Sequence, residues 1–292
     1  MPRKNTLETI DTRTLAERIR HDLEHFTPSE KRAGHLLLSH YPFAGLGTVA
    51  EFAARAGISA PSVLRFITRL GFGGFPEFQK HLRAELEAQL KSPLAKADPA
   101  TPRLSGSSDL ATFADAVIGN LRATVESLPP AEFEAMVELL SDPRRRIHFV
   151  GGRFTEATAR YAERHFRILR GDITYIEAQP ALWRDRVIEI GRRDVLVAFD
   201  IRRYQDDIVA LAETAAKQGA TVVLMTDQWL SPIARVAKHT LPVHVEAPSN
   251  WDSSAGLLLI VEALIAAVTK RLWKTARPRI EAIENLRQPR KS

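Results

Sequence analysis

The 292-residue chain contains no cysteine, which excludes disulfide staples, thiolate metal ligands and cysteine nucleophiles, and which fits a reducing compartment. Long apolar runs are also missing. The most hydrophobic stretch, residues 255–268, is interrupted by Glu262 and is too short to cross a bilayer, so it reads as a buried helix and no membrane partner is expected. The opening MPRKNTLETIDTRT has no apolar core of the kind a secretion signal needs, and a cytoplasmic protein is expected. His165, His239 and His244 show no metal-ligand spacing, so neither a metal nor a cofactor is expected. The adjacent acids Asp206 and Asp207 suit the start of a helix better than catalysis. What is present is an ordinary globular composition, 45% hydrophobic, in a chain long enough for two modest domains. Its formal net charge of +6 favours a polyanionic partner.

The most informative stretch is residues 48–70, TVAEFAARAGISAPSVLRFITRL, which encodes two short amphipathic helices joined by a glycine turn. Thr48 and Glu51 have the spacing of a capping box. Val49, Phe52, Ala53 and Ala56 then recur at helical spacing as one apolar stripe. Gly57 stands where the first helix must stop, because glycine takes the left-handed conformation at little cost. Ser59 can cap the second helix, and Pro61 is tolerated in its first turn. Val63, Ile67 and Leu70 are expected to point inward, leaving Ser62, Arg65, Thr68 and Arg69 on the outer face. Small polar and basic groups in that arrangement suit a helix that reads the major groove. Periodicity alone also allows an ordinary solvated helix pair.

The rest of the first ninety residues also reads as helix. Leu15, Ile19 and Leu23 form one stripe, Thr27, Pro28 and Glu30 open the next helix, and Phe78, Leu82, Leu86 and Leu90 line a later one. Residues 91–108, rich in proline, serine and glycine, read as a linker. From Arg146 the texture changes to short β-branched runs (IHFVG, ITYIEA, VLVAF, TVVLMT and LPVHV) separated by helix-like segments. That alternation predicts a doubly wound parallel sheet. The expected plan is therefore an all-α helix-turn-helix bundle over 1–90, an α/β domain over 109–276 and a basic tail over 277–292. Ligands in such sheets sit at the carboxyl ends of strands, which directs attention to the turns at Gly151, Asp200 and Thr226.

The stretch TVAEFAARAGISAPSVLRFITRLGFGGFPEF resembles the amino-terminal domain of the RpiR/MurR-type bacterial transcriptional regulators. The second domain is similar to the sugar isomerase (SIS) fold, its clearest match being MTDQWLSPIARVAKHTLPV with Ser231 and Pro232 in the turn. The resemblance implies a homodimer or homotetramer that binds double-stranded operator DNA and responds to a phosphorylated sugar or related metabolite. It implies no enzyme activity.

Two loops depart from that family. A SIS turn usually reads Gly-x-Gly-x-Ser after the first strand, and here it is Gly151, Gly152, Arg153, Phe154, Thr155. The third-strand loop usually reads Ser-x-Ser-Gly-x-Thr, and here it is Asp200, Ile201, Arg202, Arg203, Tyr204, Gln205. Arginine forks bind carboxylate or phosphate by charge-assisted pairs, so a small anionic metabolite stays the expected effector while a plain hexose phosphate is no longer the default.

The DNA-binding candidates are thus Thr48, Ser59, Ser62, Arg65, Thr68 and Arg69. The ligand-binding candidates are Gly151, Gly152, Arg153, Thr155, Asp200, Arg202, Arg203, Gln205, Thr226 and Ser231. For the arginine loops an alternative stays open, in which Asp200 pairs with Arg153 or Arg202 and closes the pocket. Ser231 equally suits the cap of the helix that Pro232 begins. Two rival functions also stay open: a sugar-phosphate isomerase or lyase, and a constitutive DNA-binding protein whose second domain only dimerises.

Overall fold

The computed structural model describes residues 14–90 and 107–287. Most of the expected linker lies outside the described residues. The first unit has five helices: α1 (Leu15–Asp22), α2 (Pro28–Ser39), α3 (Val49–Ala56), α4 (Ala60–Arg69) and α5 (Phe75–Leu90). Three of them open on the same device. Thr14 with Glu17, Thr27 with Glu30 and Thr48 with Glu51 each form a reciprocal capping box that satisfies otherwise orphaned N–H groups. Gly57 closes α3 at φ 63°, a left-handed conformation that a side chain would oppose. The apolar faces meet in one core that includes Leu15, Ile19, Leu37, Phe52, Phe66, Ile67, Phe78 and Leu82. Burying each such side chain is worth roughly 1.5–3 kcal/mol, against about 1 kcal/mol for a typical cap.

The expected stripe on α5 fails at its end, where Leu90 is 68% exposed while Gln89 is buried. The last turn of α5 leaves the bundle and runs against the second domain, where Gln89 lies beside the Tyr204 hydroxyl.

The second unit begins with α6 (Ser107–Ser127) and α7 (Pro130–Ser141), followed by β1 (Arg146–Gly151), α8 (Glu156–Leu169), β2 (Ile173–Tyr175) and α9 (Pro180–Val187). It continues through β3 (Asp194–Asp200), α10 (Asp206–Lys217), β4 (Thr221–Asp227), a short 3-10 turn at Pro232–Arg235, β5 (His239–Val243) and α11 (Ala255–Arg287). The five strands are all parallel in the order β2-β1-β3-β4-β5. Apolar side chains of α7, α8 and α11 pack on one face of the sheet, and those of α9 and α10 on the other. Buried on both faces, β3 is a continuous apolar run from Val195 to Phe199, as a central parallel strand requires.

The charged segment from residue 277, expected as a tail, continues α11 through Pro278 to Arg287, and Arg279 donates to the Arg167 carbonyl at 2.9 and 3.0 Å. Residues 288–292 lie outside the described residues.

The two units share a polar and apolar seam. Leu230, at φ 64° and almost fully buried, leaves the β4 loop to pack inside the core of the helical unit. Beside it, Thr14 Oγ1 donates to the Gln228 carbonyl at 3.4 Å. Glu17 Oε1 and His244 Nε2 lie 2.8 Å apart at a buried contact. Burial pushes the Glu17 carboxyl up, but His244 and the Thr14 N–H outweigh it and hold the acid below its ordinary value.

Candidate functional site

The helix-turn-helix places Pro61, Leu64, Arg65 and Thr68 on the exposed face of α4. One expectation for this helix needs correction. Ser62 is buried rather than outward, because Phe66 turns into the core beside Val63 and Ile67 and rotates the helix by part of a turn. The Ser62 hydroxyl shares a hydrogen bond with Ser59 Oγ at 2.9 Å and accepts one from Arg65 Nη2 at 2.9 Å, so it steadies the helix start and aims an arginine.

Arg69, though exposed, is held within the protein. Its Nη1 meets Glu30 Oε2 at 3.1 Å, its Nη2 donates to the His25 carbonyl at 2.7 Å, and its guanidinium lies 5.2 Å from the Phe26 ring centre. Thr48 is exposed but committed to its capping box, and Ser59 caps α4. Leu64, missed in the sequence, is 45% exposed in the middle of this face. An isolated leucine within a polar surface offers an apolar contact of the type that reads a thymine methyl.

The second site is a cavity of about 560 Å³ at the carboxyl ends of β1 and β3. Its position follows from topology. The chain leaves β1 toward one face of the sheet and leaves β3 toward the other, so the loops diverge and open a crevice between adjacent strands. Gly152, Arg153, Thr155, Asp200, Arg202, Arg203 and Gln205 line it, joined by Phe154, Asn250, Trp251 and Asp252. Gly151 sits just beneath, where a Cβ would come within 2.7 Å of the Glu156 backbone nitrogen.

The lining groups differ in what they have left to offer. The Thr155 hydroxyl accepts from Gly152 N at 2.8 Å and donates to the Phe199 carbonyl at 2.7 Å. Gln205 Oε1 accepts from Arg153 N. Asp200 does not pair with Arg153 or Arg202. Its carboxylate instead accepts from Ser231 Oγ at 2.5 Å and from Gln205 N at 3.3 Å, and burial lifts its pKa to about 7 against those two bonds.

Arg202 is fully engaged. It forks onto Asp252 at 2.6 and 2.8 Å, donates to the Ala88 carbonyl of α5 at 2.9 Å and lies 4.0 Å from the Trp229 ring centre. Arg153 and Arg203 are exposed and form no ion pair among the described residues.

Thr226 and Ser231 lie under this crevice rather than in its wall. Thr226 Oγ1 accepts from Ser231 N at 3.1 Å, and Ser231 Oγ accepts from Ile233 N at 3.3 Å as the cap of the short turn. Next to them Asp227 accepts from Arg202 N at 2.5 Å, Tyr204 Oη at 2.8 Å and Trp229 N at 3.0 Å. Burial raises Asp227 to about 6 despite those donors, and burial followed by the Asp227 charge raises the Tyr204 phenol. Among the described residues there is no cluster of three or more metal-ligating side chains and no helix long and apolar enough to cross a membrane.

Comparison with known proteins agrees with this geometry at both ends. Residues 13–89 match the helix-turn-helix domain of the rpiR family, and residues 139–267 match the SIS domain. The HTH-type transcriptional regulator HexR of Escherichia coli (strain K12) is 25% identical over 281 residues, spanning 92% of this chain and 93% of its own. The sugar isomerase domain of an RpiR transcription factor from Sphaerobacter thermophilus superposes with a TM-score of 0.56 at 25% identity, over 60% of this chain and 97% of that one. Over 94% of this chain and 97% of its own, the Vibrio vulnificus NanR protein complexed with ManNAc-6P shares the fold, with a TM-score of 0.53 at 16% identity. With the two domains in this order and a regulator aligned along nearly its whole length, the chain belongs to the RpiR family of bacterial transcriptional regulators, a helix-turn-helix domain joined to a SIS domain.

Proposed function

We propose that the chain binds double-stranded operator DNA through the Leu64, Arg65 and Thr68 face of α4, and that a small anionic metabolite in the β1–β3 crevice alters that binding. One observation carries this reading. Arg202 belongs to the crevice wall and at the same time holds the Ala88 carbonyl of α5, the helix that packs behind the reading pair. A ligand that favours one arrangement of the Arg202–Asp252 fork therefore favours one placement of the helical unit, which is what linkage between two sites requires. The exposed cations Arg153 and Arg203 favour an anion.

Catalysis is disfavoured by the state of the buried acids. An isomerase or lyase needs a base turned toward its substrate, and the Asp200 carboxylate, 1% exposed, is turned instead onto Ser231 Oγ and Gln205 N. A merely structural second domain is disfavoured by the open 560 Å³ crevice.

The working unit is a homodimer or homotetramer in the cytoplasm, joined through the apolar side chains that α6 leaves exposed, among them Leu110, Ile118 and Val125. Twofold symmetry would make the operator a palindrome. The test is fluorescence anisotropy with labelled fragments selected from the source genome by the full chain, repeated with small anions added. Selective binding that an anion shifts supports the proposal. Equal affinity for selected and scrambled DNA, or a response to no anion, refutes it.

A further inference from the structure

The crevice differs from a polyol-binding site in what its side chains have already spent. A sugar needs directional partners for each hydroxyl, and a site that lacks them leaves buried polar groups unpaired. Here the Thr155 hydroxyl is used at both ends, the Asp200 carboxylate is occupied by Ser231 and Gln205 N, and the Asp252 carboxylate is held by Arg202. Apart from the Gln205 amide and Asn250 at the rim, what remains is of two kinds.

The first is aromatic. Phe154 and Trp251 are each 57% exposed and stand edge to face with ring centres 5.6 Å apart, forming one wall of the cavity. The second is cationic. The Arg153 guanidinium lies 5.3 Å from the Phe154 ring centre, and Arg203 stands on the facing loop. Large rings left this open beside unpaired guanidinium groups favour a flat apolar body that ends in an anion.

We propose that the β1–β3 crevice takes an aromatic carboxylate, its ring against the Phe154–Trp251 wall and its carboxylate on Arg153 and Arg203. This rests on reading the crevice as the effector pocket. The Gln205 amide and Asn250 at the rim would supply the few polar contacts that fix orientation. The cavity volume of about 560 Å³ holds a one- or two-ring acid with room for its ordered waters.

The experiment titrates the full chain by calorimetry with benzoate, 4-hydroxyphenylacetate and indole-3-acetate, beside glucose 6-phosphate, gluconate 6-phosphate and inorganic phosphate. The aromatic acids should bind, and benzyl alcohol should bind at least tenfold more weakly than benzoate. Phe154→Leu, Trp251→Leu and Arg203→Ser should each weaken the aromatic acids at least tenfold; all three side chains are exposed, and an unchanged melting temperature without ligand checks the fold. Binding of sugar phosphates with silence toward the aromatic acids overturns the ligand class and leaves the crevice as an anion pocket. Silence toward every probe overturns the ligand class and counts equally against the pocket. Aromatic binding that survives all three substitutions puts the ligand elsewhere and overturns the proposal.

Discussion

Arg202→Ala is the substitution for which the structure gives the clearest magnitude. The side chain is 1% exposed, and its main partner Asp252 is only 13% exposed. Truncation would remove the guanidinium that forks onto this mostly buried carboxylate, and with it the side-chain donor to the Ala88 carbonyl. Breaking a buried pair from one side costs about 3–5 kcal/mol, and the lost stacking on Trp229 belongs inside that figure rather than beside it. Urea unfolding of the full chain, followed by circular dichroism and tryptophan fluorescence, would measure the loss. Neutralising the acid in the same chain, as Arg202→Met with Asp252→Asn, should recover part of it, because the lost guanidinium no longer has a buried charge to balance. Arg202→Lys should fall between, since an ammonium cannot fork onto two oxygens. A cost below about 1 kcal/mol for Arg202→Ala, or a double variant no more stable than the single one, would refute the buried-pair argument.

Arg65→Ala should weaken operator binding by about 1–3 kcal/mol in an anisotropy titration with little change in melting temperature. Arg69→Ala should instead lower stability by about 1 kcal/mol, through loss of the Glu30 pair and the Phe26 stack, and should move operator affinity less than Arg65→Ala does. Thr48→Ala removes one capping box and should cost about 1 kcal/mol of stability, measured by urea unfolding. Burial lifts Asp200 from 3.8 to about 7, so between those pH values the folded chain keeps a proton that the unfolded chain has released, and unfolding becomes easier as pH rises. That contribution is complete below pH about 4, is lost above about 7 and is at most about 4 kcal/mol; Asp200→Asn should flatten this part of a stability–pH profile, while Asp227 keeps a contribution of its own over a narrower range that ends near pH 6.

Local chemistry was legible in the sequence and distant chemistry was not. The boxes at Thr27–Glu30 and Thr48–Glu51 and the stop at Gly57 depend on groups three or four residues apart, so spacing alone revealed them. The parallel sheet was legible because short runs rich in β-branched and other apolar residues alternate with helical segments. Ser62 was misread, and the anchoring of Arg69 was not foreseen, for a different reason. The facing of α4 is set by Phe66, and the partner of Arg69 stands 39 residues earlier in the chain. In the crevice, the loop positions at Gly152 and Asp200 were found from the strand ends, but Trp251 and Asp252 arrive from the loop before α11. No local pattern announces that Asp252, 50 residues onward, neutralises Arg202. An unusual tryptophan in the polar run SNWDSS was the one available signal.

The Leu230 side chain has a meaning for how such chains evolve. A residue from the sheet domain that completes the core of the helical domain acts as a tenon, and each half presents to the other a fitted surface rather than a neutral one. Exchanging the DNA-reading half for that of a relative would leave the tenon in a mortise cut for a different shape. A new exposed surface on α4 is therefore reached more readily by changing its side chains than by trading whole domains, and the two domains are bound to change together.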